Sequence, residues 1–255
     1  MMLRSGLGDL RRRLLSSLHS RPASLGEPGP VVSFCFDDFP LTAYTGGGAI
    51  LKRYGARGTY YVAMGLMNTS NHLGDHFRRQ DLDSLLTDGH ELACHTYSHI
   101  SCRAVPFRVF EDDFNRGKDA IRKITGCEPA NFSYPFGHVT LTAKKRVGAQ
   151  VSSSRGIYAG VNAPMTDLNL LRANGLYGDV NRFAAMDALI VRNQKQRGWL
   201  IFYTHDVRPN PSEFGCTPEL LEQVVSSVLA RGCRINPVDQ VVRRVRMSST
   251  GPSNL

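Results

Sequence analysis

The 255-residue sequence has no apolar run that approaches the roughly 20 residues needed to cross a bilayer as a helix. Basic residues occur near its start, but neither an apolar stretch nor a small-residue cleavage site follows them. This is not the pattern of a secretory signal, so we expect a cytoplasmic protein.

The six cysteines contain no Cys-x-x-Cys pair. A chain of this length can bury enough apolar surface to fold without disulfides, so we expect reduced thiols. Cys94 adjoins His95 and is a conceivable metal ligand. Neighbouring residues of a strand point to opposite faces, however, so we expect Cys94 to face away from an ion bound by His95.

Acidic residues are few, with 22 Asp and Glu against 31 Lys and Arg, and the formal net charge of +9 favours anionic partners. The basic excess lies at the two ends of the chain, in residues 1–30 and 231–246. Aromatic residues do not interleave with these runs as single-strand binding would require, so we expect no nucleic-acid partner. A solvated basic face, an anionic polymer and a peripheral membrane contact all stay open.

Leucines recur every three or four residues between Leu3 and Leu18, which predicts an amphipathic helix over residues 3–19. This helix packs on the main domain or lies on a membrane surface. Residues 20–30 contain three prolines and two glycines and predict a linker. We expect three parts: a helix and linker in 1–29, the main domain in 30–247, and a disordered tail in 248–255.

Short apolar runs alternate with helical patterns from residue 31 onward. Such alternation predicts a parallel sheet, and seven or so repeats predict that the sheet closes into an α/β barrel. An open doubly wound sheet is the alternative. The predicted strands are 31–37, 58–64, 91–95, 130–134, 149–153, 167–172, 199–204 and 234–236. The predicted helices are 46–55, 80–88, 107–125, 141–148, 181–196, 218–230 and 238–246.

Polar residues suited to metal chemistry fall at the carboxyl ends of these strands, where a barrel builds its site. Asp37 and Asp38 are adjacent, and two carboxylates at the mouth of a buried strand are costly unless a divalent cation neutralises them. His95 and His99 are four residues apart, so both imidazoles can reach one ion. One aspartate and two histidines make a three-ligand site with open positions, and the other aspartate is free as a base.

Two other interpretations of these residues are open. The histidines can be ordinary hydrogen-bonded residues at a helix start, and a ferrous oxygenase also uses two histidines and one carboxylate. The additional aspartate and His205 favour hydrolysis, because they supply the base and the acid that hydrolysis needs.

Four short motifs occur in order along the chain: Phe36-Asp37-Asp38, His95-Thr96-Tyr97-Ser98-His99, Ser133-Tyr134-Pro135-Phe136-Gly137 and Thr204-His205-Asp206. Their order, spacing and strand-end positions resemble those of the NodB-homology polysaccharide deacetylases, from about residue 30 to about residue 240. The resemblance implies a distorted (β/α) barrel with about seven parallel strands. It also implies a divalent metal, zinc in the first place, with cobalt, nickel or manganese as alternatives.

The resemblance also implies a role for each motif residue. It makes Asp37 the general base and His205 the general acid, and it makes Asp38, His95 and His99 the metal ligands. A backbone N–H near Phe136, in the turn after Pro135, resembles the second oxyanion donor. Among the aromatic residues, we expect Tyr97 and Phe136 to line a sugar cleft.

The sequence departs from the family pattern at three places. Phe39 follows the aspartate pair where many members have glycine, which narrows the site or changes the turn. Ser133 stands where many members have an arginine that pairs with the base, and Arg172 is the candidate substitute. The acid that tunes His205 is not evident, and Asp167 and Asp206 are the candidates.

Together, these features predict metal-dependent hydrolysis of an N-acetyl amide on a sugar or polysaccharide precursor, with release of acetate. The basic surface suits an anionic or lipid-linked glycan. The alternatives are a hydrolase of a non-sugar C–N amide on the same fold, and a non-catalytic barrel that binds a glycan.

Overall fold

The computed structural model describes residues 15, 17–25 and 29–249, with side chains described as far as residue 245. Most of the predicted helix over residues 3–19 and the tail from residue 250 onward lie outside the described residues. Within the described part, no helix is both long enough and apolar enough to span a membrane.

The described residues form twelve strands and seven α-helices. The strands are β1 Pro22–Ser24, β2 Val31–Asp37, β3 Thr59–Val62, β4 Ser70–Asn71, β5 Gly74–Asp75, β6 Glu91–Cys94, β7 Asn131–Ser133, β8 Ser153–Arg155, β9 Met165–Asp167, β10 Asn174–Gly175, β11 Trp199–Thr204 and β12 Arg234–Ile235. The helices are α1 Ala49–Arg53, α2 Arg79–Thr87, α3 Phe107–Thr125, α4 Leu141–Gly148, α5 Phe183–Gln196, α6 Pro218–Ala230 and α7 Val238–Ser249. A π-helical turn, Ala43–Gly48, precedes α1, and 3₁₀ turns occupy Met64–Leu66, Pro135–Gly137 and Val180–Arg182.

Seven strands form one parallel sheet in the spatial order β10-β11-β2-β3-β6-β7-β8, and β12 pairs with β2 beside this path. The pairing is parallel at every step, and helices connect most of the strands. On the outer side of the edge strand β8, Arg155 forms an isolated parallel bridge with Leu171, which precedes the other edge strand, β10. The predicted distorted (β/α) barrel with about seven parallel strands is confirmed.

The long predicted elements agree with the structure, and the predicted strands that are wrong lie between α4 and β10. The predicted strand 149–153 is wrong, because Gln150 and Val151 donate backbone hydrogen bonds to Val147 and so extend the helix end into a turn. The edge strand β8 follows that turn. The predicted strand 167–172 is also displaced, since β9 ends at Asp167 and pairs antiparallel with β1 outside the barrel.

The segment before β2 is attached to the barrel, so the predicted linker includes strand β1. Lys144 is fully buried, and its Nζ donates to the Leu15 carbonyl at 2.5 Å and pairs with Asp167 at 2.6 Å. The guanidinium of Arg21 donates to the carbonyls of Gly148 and two later residues at the end of α4. The described residues of this segment, 15 and 17–25, therefore pack against α4 and β9.

The amino ends of the barrel strands are closed by a polar network under α7. Glu91 accepts hydrogen bonds from Thr59 Oγ1 and Asn131 Nδ2, and its second oxygen also accepts the backbone N–H of Asp239. The N–H of Val238 donates to Thr59 Oγ1. These bonds satisfy N–H groups of the first turn of α7 that have no partner inside the helix. The opposite end, at the carboxyl ends of the strands, is left open.

Candidate active site

Three neighbouring parts of the sheet bring the motif residues to one cleft of about 590 Å³ at the carboxyl ends of the strands. Asp37 is the last residue of β2, His95 follows β6 directly, and His205 follows β11 directly. Because parallel strands end at the same edge, residues far apart in sequence become neighbours. The cleft is lined by Asp37, Asp38, Leu66, Asn71, His72, Leu73, His95, His99, Tyr134, Phe136, Gly137, Ile157, Tyr177, Tyr203, His205 and Phe214.

Backbone strain is concentrated in the loops that form this cleft. Five of the eight described non-glycine residues with positive φ lie there: Asp38, Phe39, Thr96, His99 and Phe136, with φ between 54° and 63°. Residues other than glycine rarely adopt this left-handed backbone region, and each such residue lowers the free energy of unfolding by roughly 1 kcal/mol or more. The surrounding fold therefore holds these loops in shapes that they would not adopt alone.

The predicted ligands Asp38, His95 and His99 converge, with one candidate ligand atom from each residue within 4.8 Å of the others. Asp38 Oδ1 lies 3.5 Å from His95 Nε2 and 3.2 Å from His99 Nε2. His95 Nδ1 donates to the backbone carbonyl of Ser133 at 2.7 Å, which leaves the lone pair of Nε2 facing Asp38.

The charge states of this cluster indicate that it suits a cation. Burial lowers the pKa of His95 to about 3 and that of His99 to about 4, so both rings are neutral at pH 7. Burial also raises the pKa of Asp38 to about 6. Asp38 Oδ1 is buried without a hydrogen-bond donor, and the Nε2 atoms of the two histidines lie next to it. A divalent cation resolves this arrangement, and nitrogen and carboxylate ligands suit zinc and related metals.

The partner of Asp37 is Arg155, which corrects the assignment to Arg172. The Arg155 guanidinium, fully buried at the end of β8, contacts Asp37 Oδ1. Burial raises the pKa of Asp37, but the charge and hydrogen bond of this guanidinium, together with His95 and His205, outweigh burial and lower the pKa below its ordinary value. Arg172 is exposed and donates to the carbonyl of Ala159 at 3.1 Å.

Arg155 is enclosed by two tyrosine rings. Its guanidinium carbon lies 4.6 Å from the centre of the Tyr61 ring and 4.9 Å from the centre of the Tyr203 ring. Both distances are within the range of cation–π attraction. Sequence reasoning missed Arg155 because the strand was placed at 149–153. The signal for this residue is an arginine at the end of a short strand that follows a serine-rich turn.

His205 is held by a backbone carbonyl and not by a carboxylate. Its Nδ1 lies 3.2 Å from the Phe214 carbonyl oxygen. Neither candidate acid contacts the ring: Asp167 pairs with Lys144, and Asp206 accepts from the Ser212 backbone and hydroxyl at 2.8 and 2.5 Å. Asp206 therefore shapes the loop that carries Phe214 and acts on His205 only through that loop.

Of the two aromatic residues expected in the cleft, only Phe136 lies there. Its ring is 56% exposed, and its centre is 4.5 Å from that of His99. Pro135 is buried and begins the tight turn that gives Phe136 its positive φ. The expectation for Tyr97 is wrong, because Arg116 lies 3.6 Å over its ring on the surface of α3. Thr96, with φ of 63°, lies between His95 in the cleft and Tyr97 outside it.

The remaining departures from the family pattern have simple structural outcomes. Phe39 is fully buried, with its ring centre 5.0 Å from that of Phe77, so it does not narrow the cleft. Ser133 contributes its carbonyl to His95. Cys94 faces away from the site as expected, with Sγ 4.0 Å from the carbonyl of Phe114 in α3.

Comparisons with known proteins agree with this geometry. The family model described as polysaccharide deacetylase matches residues 25–151. The fold is similar to a putative polysaccharide deacetylase from Mycobacterium smegmatis, with TM-score 0.67, 18% identity, and 91% of this chain and 96% of that chain covered. It is also similar to the Bacillus subtilis peptidoglycan deacetylase PdaC, with TM-score 0.54, 17% identity and coverage of 88% and 95%.

A third similar structure is the Xyl-CE4 domain of a multidomain xylanase from the hindgut metagenome of Trinervitermes trinervoides. Its TM-score is 0.59 at 16% identity, with 85% of this chain and 91% of that chain covered. At these identities the likeness establishes the shared fold. No curated protein matches this chain.

Proposed function

The chain belongs to the polysaccharide deacetylase family, and from that premise we propose that it removes the acetyl group from an N-acetylated sugar or glycan and releases acetate. The observation that carries the proposal is the convergence of Asp38, His95 and His99 on one point, in the same cleft as Asp37 and His205. Amide hydrolysis needs a site that polarises the carbonyl, a general base and a general acid, and this cleft has residues for all three.

Asp38, His95 and His99 would hold the divalent cation, for which we propose zinc. When bound, the ion polarises the amide carbonyl and makes water more acidic. The hydrogen bond from His95 Nδ1 to the Ser133 carbonyl fixes the ring so that Nε2 is the ligand atom.

Asp37 is the proposed general base. The buried Arg155 keeps its carboxylate ionised and fixed, and one oxygen accepts the guanidinium N–H. Asp37 lines the cleft beside Asp38, within reach of water on the metal side. It takes the proton of the attacking water as the tetrahedral intermediate forms.

His205 is the proposed general acid. The contact between its Nδ1 and the Phe214 carbonyl directs Nε2 into the cleft. An amide nitrogen leaves only after it gains a proton, and His205 Nε2 supplies that proton. The backbone N–H of Phe136, in the strained turn beside His99, is the proposed second donor to the oxyanion.

Two alternative functions are less well supported than this proposal. A non-sugar amide would use the same residues, so only substrate profiling separates it from a sugar. A non-catalytic glycan-binding barrel is disfavoured, because it would not need Asp37 paired with Arg155 or His205 aimed into the cleft. A cytoplasmic location and peripheral membrane contact are also proposals.

The direct experiment measures acetate release from N-acetylglucosamine oligomers and glycosides by the zinc-loaded protein. We expect Asp37→Asn to lower turnover by on the order of 10² or more while it retains zinc. Asp83→Asn, which changes an exposed ion pair with Arg79, is the matched control and should keep full activity. Undiminished turnover in Asp37→Asn would remove Asp37 as the base.

A further inference from the structure

The side chains that line the cleft do not share the basic character of the whole chain. The chain carries a formal net charge of +9, yet the described side chains that line the cleft include no lysine, arginine or glutamate. The charged lining residues are Asp37 and Asp38. Two arginines contact cleft residues from outside, but Arg155 is paired with Asp37 and Arg208 with Asp206. Apart from the metal that the proposed function requires, the described side chains that line the cleft therefore offer an anionic substituent no cation.

The edges of the cleft are apolar instead. Phe136, Ile157 and Phe214 are 56%, 44% and 38% exposed. They are three of the eight exposed large hydrophobic side chains in the described part of the chain, and all three line this cleft. Exposed apolar side chains that occur singly need no explanation, whereas a group around one cleft marks a binding surface.

One apolar edge adjoins the metal ligands. Phe136 lies against His99, and Ile157 packs on Gly137 in the same turn. A Cβ at Gly137 would come within 2.2 Å of Ile157 Cγ1, so glycine is required for this contact. Phe136 has a strained backbone, with φ of 59°, and its side chain is exposed. Neither the strain nor the exposure stabilises the folded state.

The other apolar edge adjoins the proposed acid. The Phe214 ring centre lies 5.6 Å from that of His205, 6.2 Å from that of Tyr177 and 6.5 Å from that of His72. This aromatic group lies beside the ring of His205, the proposed general acid. With a volume of about 590 Å³, the cleft has room for much more than the acetamide that reacts in it.

We propose that the substrate carries an uncharged, apolar group beside its N-acetyl amide, as in a sugar with an alkyl or aryl aglycone, and that Ile157 and Phe214 select it. This inference rests on the proposed function. The composition of the chain suggested either an anionic or a lipid-linked glycan as substrate. The inference favours the lipid-linked glycan and opposes the anionic one. Burial of the apolar group against these side chains removes apolar surface of both from water, which supplies the preference.

The test compares three substrates that share one sugar: methyl, octyl and 1-phosphate derivatives of N-acetylglucosamine, with the octyl glycoside below its micelle concentration. We expect kcat/KM for the octyl glycoside to exceed that of the methyl glycoside by about tenfold or more, since roughly two buried methylenes suffice for that factor. The phosphate should be the poorest substrate. Phe214→Ser and Ile157→Ser should each reduce the ratio of octyl to methyl rates, whereas Val180→Ser, an exposed site outside the cleft, should preserve it.

Equal rates for the octyl and methyl glycosides, or a preference for the phosphate, would overturn the inference and leave the proposed function intact. Release of acetate from none of the three and from no N-acetylglucosamine oligomer would contradict the proposed function instead. Calorimetric binding to zinc-loaded Asp37→Asn then decides the inference alone, with tighter binding of the octyl glycoside supporting it and equal binding refuting it.

Discussion

The guanidinium of Arg155 contacts the carboxylate of Asp37 across the interior of the barrel, although β3, β6 and β7 lie between their strands. In a flat sheet, four strand spacings would separate them by about 19 Å, which is farther than an arginine side chain reaches. The contact therefore exists only because the sheet curves. It connects the closure of the barrel with the charge state of the proposed base.

We expect Arg155→Met to lower turnover by on the order of 10²-fold, because Asp37 loses the group that fixes it. The same change should destabilise the fold by about 3 kcal/mol, since it leaves a buried carboxylate unpaired. Arg172→Met is the matched control, because the side chain of that arginine is exposed and donates to the carbonyl of Ala159. Acetate assays and urea unfolding measure both effects. Equal losses in the two variants would contradict the assignment of Arg155.

The metal site gives a second prediction. Asp38→Ala removes the only carboxylate of the described three-residue cluster, so we expect the protein to lose tight binding of zinc. His205→Ala should retain the metal at full stoichiometry and lose only turnover, since its ring belongs to the acid side of the cleft. Elemental analysis after dialysis against a weak chelator separates the two. Full zinc content in Asp38→Ala would disprove the ligand assignment.

Stability should fall in acid partly through His90, which is remote from the cleft. Its Nδ1 accepts the backbone N–H of Gly58, and burial, with the charge of Arg57, lowers its pKa from 6.5 to about 4. The folded state therefore binds this proton less readily than the unfolded chain does. Neutral His90 therefore makes its full contribution to the free energy of unfolding above pH 6.5. That contribution is lost as the pH falls toward 4.

His90→Asn keeps an acceptor for Gly58 without a titrating ring. We expect the free energy of unfolding of this variant to fall by about 2 kcal/mol less than that of the unmodified protein between pH 6.5 and 4. Denaturant titrations at several pH values measure the difference. Parallel pH profiles would show that His90 contributes nothing to the acid sensitivity.

The buried Lys144 should be essential for attachment of the segment before β2. Lys144→Met removes the ion pair with Asp167 and the bond to the Leu15 carbonyl, and we expect a loss of about 3 kcal/mol. Lys145→Met changes the exposed neighbour on the same helix and should stay within about 0.5 kcal/mol of the original stability. Thermal or urea unfolding gives the comparison. Equal stability of the two variants would show that the segment is held by other contacts.

Much of the fold could be predicted because its signals are local. The apolar runs that became β2 and β11 and the 3.6-residue pattern of α3 each lie within one short window of sequence. The edge elements β8, β9 and β10 are only two or three residues long and contain serine, threonine and asparagine. Their strand character comes from neighbours that the sequence does not identify.

The sequence by itself determined the barrel and the convergence of Asp38, His95 and His99, because these residues end strands, and parallel strands end together. Only the tertiary structure decided which arginine serves Asp37, that Tyr97 faces α3, that β1 pairs with β9, and that the edges of the cleft are apolar despite a basic chain. These outcomes depend on the curvature of the sheet and on strained turns that aim side chains. Neither is encoded in residue spacing, since both arise from contacts between segments more than a hundred residues apart or from single dihedral angles.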